Sequence, residues 1–221
     1  MGGVMYRYNY DKKTLSKYLK SICPDTDIVN KLKIMYRPYN CPFNDIMNLI
    51  PDNSSVFDIG CGNGQFLFLL EHFCNISKIM GIEVSENLVD VCNHQILNQK
   101  ITKMKVVKYD GKNLPNDFSE YNVITLIDVF HHVPKNMQFQ LLKNIFGAMK
   151  KKDIFIMKDI DADSCLVYFN KLNDILLSKQ FGNEMSGKKL TSFLLELGFE
   201  ITFFRKIRTL VYPHYIISAI K

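Results

Sequence analysis

The sequence predicts a doubly wound α/β domain built on a largely parallel sheet, and three observations carry the prediction. From residue 56 onward, short apolar runs alternate with amphipathic segments, a β-α repeat that calls for parallel strands joined by right-handed crossovers. Residues 121–127 (YNVITLI) form an almost continuous apolar run, as a strand buried on both faces shows. Residues 56–66 (VFDIGCGNGQF) read as a buried strand that enters a turn with Gly60, Gly62 and Gly64 and then a helix beginning near Gln65. Such a strand, turn and helix make a ligand site: glycine permits positive φ and close backbone approach, and the helix start presents unpaired N–H groups.

At 221 residues the chain is long enough for one such domain with a modest appendage, and two full domains would be cramped. Hydrophobic residues at 47% and charged residues at 23% are ordinary for a globular protein and argue against disorder. No apolar run approaches the roughly 20 residues of a membrane span. The opening MGGVMYRYNYDKK lacks the apolar centre of a signal peptide, so the expected location is the cytoplasm. Six cysteines, at 23, 41, 61, 74, 92 and 165, are scattered without a C-x-x-C pair, which suggests neither a zinc cage nor a disulfide framework. The net charge of +6 is uneven: residues 1–40 hold eight Lys/Arg against three acids, 41–185 hold 14 against 17, and 186–221 hold six against two. Basic ends suit an anionic substrate, a nucleic acid or a peripheral membrane contact. Lysines on the solvated faces of terminal helices are the simpler reading.

In chain order, apolar residues at 15, 18, 19 and 22 give residues 11–22 a helical spacing, and residues 25–35 repeat it behind a Pro-Asp-Thr-Asp start. Residues 36–43 (YRPYNCPF) break the helix with two prolines, and 43–49 form a short helix ahead of a turn at Pro51-Asp52-Asn53. Residues 1–50 are therefore expected as an N-terminal helical cap and 51–221 as the α/β domain. Strands follow at 56–59, 78–83, 104–109, 121–127 and 154–157, the last running into Lys158-Asp159-Ile160-Asp161. Helices fall between them at 65–73, 87–97, with Ser85 as N-cap, and 135–150. Residues 163–181 read as an inserted helix and 190–197 as another, and 200–204 and 209–219 as strands parted by a short basic turn.

In a doubly wound sheet the ligand lies at the carboxyl ends of the strands, beside the first one. Four successive strands end there in an acid: Asp58, Glu83, Asp110 and Asp128. Glu83, 23 residues beyond Gly60, suits a carboxylate that accepts two ribose hydroxyls, and Asp110, with the Gly111 backbone nearby, one that accepts from an adenine amino group. The glycine spacing is G-x-G-x-G; the dinucleotide fingerprint would need a glycine where Gln65 stands. Asp58 would repel a phosphate and attract a cation. Singly, each acid reads as a helix cap or a solvated charge; in order, they read as one wall of a pocket for a cationic nucleoside.

The glycine string resembles the first motif of class I S-adenosylmethionine-dependent methyltransferases, whose cofactor carries an ammonium and a sulfonium. IDVFHHVP, residues 127–134, is similar to the strand-four motif of ubiquinone/menaquinone-type and related small-molecule methyltransferases. The resemblance covers about residues 56–157. It implies a Rossmann-like seven-stranded sheet in the order 3-2-1-4-5-7-6 with the last strand antiparallel, and S-adenosyl-L-methionine as cofactor. The implied reaction is methyl transfer to a small-molecule acceptor, such as a lipid-linked or sugar precursor or a secondary metabolite. By position, Asp58, Gly60 and Gly62 would hold the methionyl end, Glu83 the ribose, Asp110 and Gly111 the adenine, and Asp128 the rim of the methionine pocket, with Cys61 and Val84 counted beside them.

Transfer from an activated sulfonium leaves the protein orientation, exclusion of water and, for a protonated nucleophile, a base. His131 is the first candidate for that base, since histidine titrates near neutrality. His132, Asp161 and His214 stand on the substrate side. Tyr36, Arg37 and Tyr39 are placed to form a lid, with Arg37 pairing with the cofactor carboxylate. No metal is expected, because Asp128, Asp159 and Asp161 fit the catechol-type ligand spacing poorly. Residues 128–131 also lack the double-proline motif of enzymes that methylate base amino groups. Three other readings remain: methylation of RNA, suggested by the basic ends; a cofactor-binding regulatory protein without turnover; and a nicotinamide oxidoreductase, disfavoured by the third glycine.

Overall fold

The computed structural model describes residues 7–22, 28–163, 183–209 and 212–221. The apolar runs become seven strands: β1 (Ser54–Ile59), β2 (Ile76–Glu83), β3 (Met104–Lys108), β4 (Val123–Ile127), β5 (Ile154–Ile160), β6 (Glu200–Thr209) and β7 (Tyr212–Ile220). They form one sheet in the order β3-β2-β1-β4-β5-β7-β6. β1 to β5 pair in parallel, while β7 enters antiparallel beside β5 and carries β6 on its other edge. The order and the antiparallel last strand are those implied by the resemblance.

Helices cover both faces, as continuous burial of the central strands demands. On one side lie α1 (Lys12–Ile22), α2 (Ile28–Asn40), α3 (Phe43–Met47), α4 (Gln65–Phe73) and α5 (Glu86–Asn98). Leu15 and Leu19 of α1, Phe43 and Ile46 of α3, Phe66 to Leu70 of α4 and Cys92 of α5 share one core cluster with Val56 and Ile79 of the sheet. That explains why QFLFLLEHF is apolar nearly all round: α4 lies between the sheet and the N-terminal helices. Each such side chain, fully buried, contributes about 1.5–3 kcal/mol. On the other face α6 (Lys135–Ala148) and α7 (Gly187–Leu197) pack Leu142, Ile145, Leu190 and Leu194 against Phe57, Met80, Ile124 and Phe155.

Several local expectations change. The helix does not end before Pro38: α2 continues through it to Asn40. Pro38 stands two residues from the helix end, so it removes one bond, to the Ile34 carbonyl, and the Cys41 N–H still reaches Arg37 O at 2.8 Å. β5 runs three residues further than expected, so Lys158 and Asp159 lie inside it. Arg205 to Arg208 belong to β6 and are no turn, and the hairpin tip at 210–211 is outside the described residues. Ser85 occupies the N-cap of α5 but its hydroxyl makes no capping bond. The helix expected at 163–181 also lies outside the described residues. Among those described, no helix is long and apolar enough to cross a membrane.

Candidate functional site

Five parallel strands point their carboxyl ends to one side, and the turn after β1 lies at the centre of that edge. Gly60, Gly62 and Gly64 all take positive φ, at 74°, 57° and 78°. Gly60 also meets a close neighbour: a Cβ there would lie 2.5 Å from Val129 Cγ2, so the absent side chain lets the loop after β4 close onto the turn. At Gly62 a Cβ would meet nothing within 4 Å, so only its φ favours glycine. Beside this turn opens a cavity of about 600 Å³, lined by Ile59, Gly60, Glu83, Val84, Tyr109, Gly111, Lys112, Asp128, Val129 and His132, and closed by Met137 and Leu141 of α6.

Glu83, at the end of β2, is buried against the turn. Its Oε2 accepts from the Gly62 N–H and its Oε1 from the Ser85 N–H, both at 2.9 Å. Each carboxylate oxygen has a second lone pair, so the side chain still has acceptors to offer the cavity. Val84 follows it, 56% exposed at the wall.

Only two of the four acids line the cavity, Glu83 and Asp128. Asp58 points beneath the turn, where Thr125 Oγ1 donates to its Oδ1 at 2.5 Å, and burial pushes its pKa up to about 7. Asp110 turns back on its own loop: Oδ1 accepts from the N–H groups of Lys112 and Asn113, Oδ2 from Asn113 Nδ2, and these bonds hold its pKa below the ordinary value. Its neighbours Tyr109, Gly111 and Lys112 reach the cavity wall instead. The chain therefore does not present four free carboxylates to a cation, because most of their oxygens already have partners within the protein.

Asp128 is the most engaged of the four. Its backbone is left-handed, with φ 56°. Its N–H donates to Lys158 O at 2.9 Å, and its Oδ1 accepts from the Lys158 ammonium. Its Oδ2 pairs with Arg37 Nη2 at 2.7 Å. Burial alone would raise its pKa, but Lys158 and Arg37 outweigh burial and hold the carboxyl well below the usual range. Arg37 is thus brought to the site by α2, as the lid reading expected, but onto a protein carboxylate. Tyr36 and Tyr39 flank it, ring centres 6.1 Å apart, with Tyr36 58% exposed.

His131 and His132 separate. His131 is buried: its N–H donates to Asp159 Oδ2 at 3.1 Å and its Nδ1 shares a 2.5 Å hydrogen bond with Asp159 Oδ1. His132 is exposed and lines the cavity, its ring 4.0 Å from that of His131. Asp161 is buried outside the cavity, accepting from the Gly187 N–H and pairing with Lys206 at 2.6 Å, so it pins the start of α7 to β6. His214, buried in β7, has a pKa lowered to about 4 by burial and by Lys158. Cys61 is buried toward β2, where a Cβ on Gly81 would meet its Sγ at 2.6 Å, and burial raises its thiol well above the ordinary value.

Sequence reasoning missed Lys158, Thr125 and the α6 side chains, and weighed Asp159 only as a metal ligand rather than as the partner of His131. A lysine within the apolar run IFIMKDI was a visible signal for the first, and the i, i+4 pair Met137 and Leu141 for the last.

A sequence model of the methyltransferase-domain family matches residues 50–195. The chain is 30% identical over 108 residues to a tRNA (carboxymethyluridine(34)-5-O)-methyltransferase, alkbh8, of Xenopus tropicalis, covering 48% of this chain and 15% of that one. It is 21% identical over 154 residues to carboxy-S-adenosyl-L-methionine synthase of Campylobacter jejuni, covering 69% and 61%. The chain thus spans less than two thirds of either relative. Magnesium protoporphyrin IX methyltransferase from Synechocystis PCC 6803, solved with bound SAH, superimposes with a TM-score of 0.69 at 15% identity, over 96% of this chain and 100% of that one. At that identity the likeness is one of fold.

Proposed function

Since the chain belongs to the class I S-adenosylmethionine-dependent methyltransferases, we propose that it transfers a methyl group from S-adenosyl-L-methionine to a small-molecule acceptor at the mouth of the cavity. One observation supports this above the others: Glu83, its two oxygens fixed by the Gly62 and Ser85 N–H groups, faces a cavity of about 600 Å³ at the glycine turn. The residues fit the cofactor. Glu83 offers acceptors to vicinal hydroxyls, Val84, Val129 and Met137 offer apolar surface to a base, and Gly60 leaves backbone where a side chain would stand.

When bound, the cofactor supplies a methyl group on a sulfonium, already activated for in-line displacement. The chain's part is to orient and to exclude water. Asp128 lines the cavity, and Arg37 ties α2 to it. If the acceptor carries a proton, this geometry favours His132 as the group that takes it, with His131 positioning the loop through Asp159. The N-terminal helices α1 to α3 would serve as the cap that shapes the acceptor side.

Calorimetry on the whole chain with S-adenosylhomocysteine tests the cofactor assignment: micromolar-scale binding is expected, abolished by Glu83→Ala and by Gly60→Arg. Unaltered binding in both variants overturns it. RNA is the second acceptor class, favoured by one observation: Lys12, Lys13, Lys17 and Lys20 of α1 are all exposed on a helix without an acid. No measurable affinity for tRNA or rRNA at low salt removes that reading.

A further inference from the structure

The arrangement around Asp128 is more than a salt bridge, because one carboxylate holds two cations of different character. Lys158 comes from the middle of the sheet: β5 is paired on both edges, and the lysine side chain is 1% exposed. Arg37 comes from α2, the lid side, and its side chain is 38% exposed. A lysine so deeply buried carries a heavy desolvation penalty unless its charge is matched. Asp128 matches it through the ammonium on Oδ1, and its own N–H donates to the Lys158 carbonyl, so side chain and backbone both tie the two residues together. These two bonds also hold the left-handed φ of 56° at Asp128.

Arg37 is not needed for this local balance. Its guanidinium pairs with Asp128 just past the end of β4, and its charge opposes the burial that raises the Asp58 carboxyl in β1. In the reading proposed above, that edge of the sheet is where the amino-acid end of the cofactor comes to lie, with its ammonium and its carboxylate.

Resting on that reading, we propose that Arg37 changes partners when the site is loaded, leaving Asp128 for the ligand carboxylate, and that Lys158 is the positioning residue that keeps Asp128 paired in both states. Without Lys158, Arg37 would be the sole counter-charge of a buried carboxylate and would be held in place. With it, Arg37 is released at little electrostatic cost, and the position of α2, which also carries Tyr36 and Tyr39, follows the loading of the site.

The test compares S-adenosylhomocysteine with 5′-methylthioadenosine, which keeps the nucleoside and the sulfur but lacks the amino-acid end. In the wild-type chain, hydrogen exchange of residues 34–40 should change with the first ligand and not with the second. Arg37→Met should weaken the first by at least about tenfold, the scale of a lost charge-assisted pair, and leave the second unchanged. Lys158→Met should do the same, Lys158→Arg should rescue, and Asp128→Asn combined with Lys158→Met should restore binding by freeing Arg37. Equal losses for both ligands in Arg37→Met, or identical exchange of residues 34–40 with either ligand, overturn the inference. If the wild-type chain binds neither ligand, the cofactor reading itself fails. Arg37→Met, at a half-exposed position, keeps the test decisive should Lys158→Met fail to fold.

Discussion

Replacing Asp58 by asparagine should stabilise the unliganded protein in a pH-dependent way. Asp58 is 3% exposed, and among the described residues its side-chain partner is the Thr125 hydroxyl, which an asparagine Oδ1 also accepts. Burial raises its pKa from 3.8 to about 7. Below 3.8 both native and unfolded chains hold the proton, and this group makes no difference to stability. Between 3.8 and about 7 the unfolded chain releases the proton while the native chain keeps it, so stability falls as pH rises and levels off above that window. A shift of about three units corresponds to roughly 4 kcal/mol, an upper bound for a site that can relax. Asparagine has no such loss. The variant should therefore gain about 2–4 kcal/mol on the wild type between about pH 4 and pH 8, or roughly 4–16 °C in Tm for a chain of this size. Paired denaturation curves across that range measure it. A pH-independent difference, or a wild type that gains on the variant as pH rises, refutes the reasoning. The same physics makes ligand binding near neutral pH release a proton, since a cation near Asp58 restores its charge; calorimetry in buffers of different ionisation enthalpy reads that proton directly.

Other perturbations separate the roles of neighbouring groups. Gly64→Ala places a Cβ 2.4 Å from Cys92 Sγ at a φ of 78°, and should cost about 2–4 kcal/mol from overpacking and backbone strain together, read from the urea midpoint. Gly62→Ala, with open space around it, should cost only about 1–2 kcal/mol from φ, so similar losses in the two would discount the packing argument. Asp159→Ala removes two acceptors that His131 uses and should destabilise by about 3 kcal/mol; a neutral effect would mean that other contacts hold the histidine. Glu83→Gln keeps one acceptor for the turn but loses the charge, and should weaken S-adenosylhomocysteine by about tenfold, with a smaller effect counting against the ribose role.

Local sequence rules succeeded where a pattern reports burial directly, and failed where a distant contact overrides it. Residues 121–127 read as a strand because nearly every position is apolar, and the Val123–Ile127 side chains are all buried. Pro38 read as a helix end, yet α2 continues past it, with Ile34 and Cys41 packed in the core and Arg37 tied to Asp128. The hairpin turn was placed at the basic residues 205–208 because charges commonly mark turns. In β6, Phe204, Lys206 and Arg208 face water along the sheet edge, while Arg205 is half-buried with Phe203 and Ile207 on the other face and pairs with Asp45.

The sequence alone determined the α/β alternation, the strand that enters the glycine turn, the acids at successive strand ends and, through motifs shared with a family, the sheet order and the cofactor. These are local facts, set by side-chain period and by the few residues that tolerate positive φ. Tertiary structure alone decided what each charge does. Asp58 is turned under the loop to Thr125, 67 positions away; Asp110 folds back on residues 112 and 113; Asp128 lies between Arg37 and Lys158; and His131 is withdrawn to Asp159 while His132 faces the cavity. Most of these pairings join segments far apart in the chain, and the need to match every buried charge selects among them only once the sheet and its helices have brought the candidates within reach.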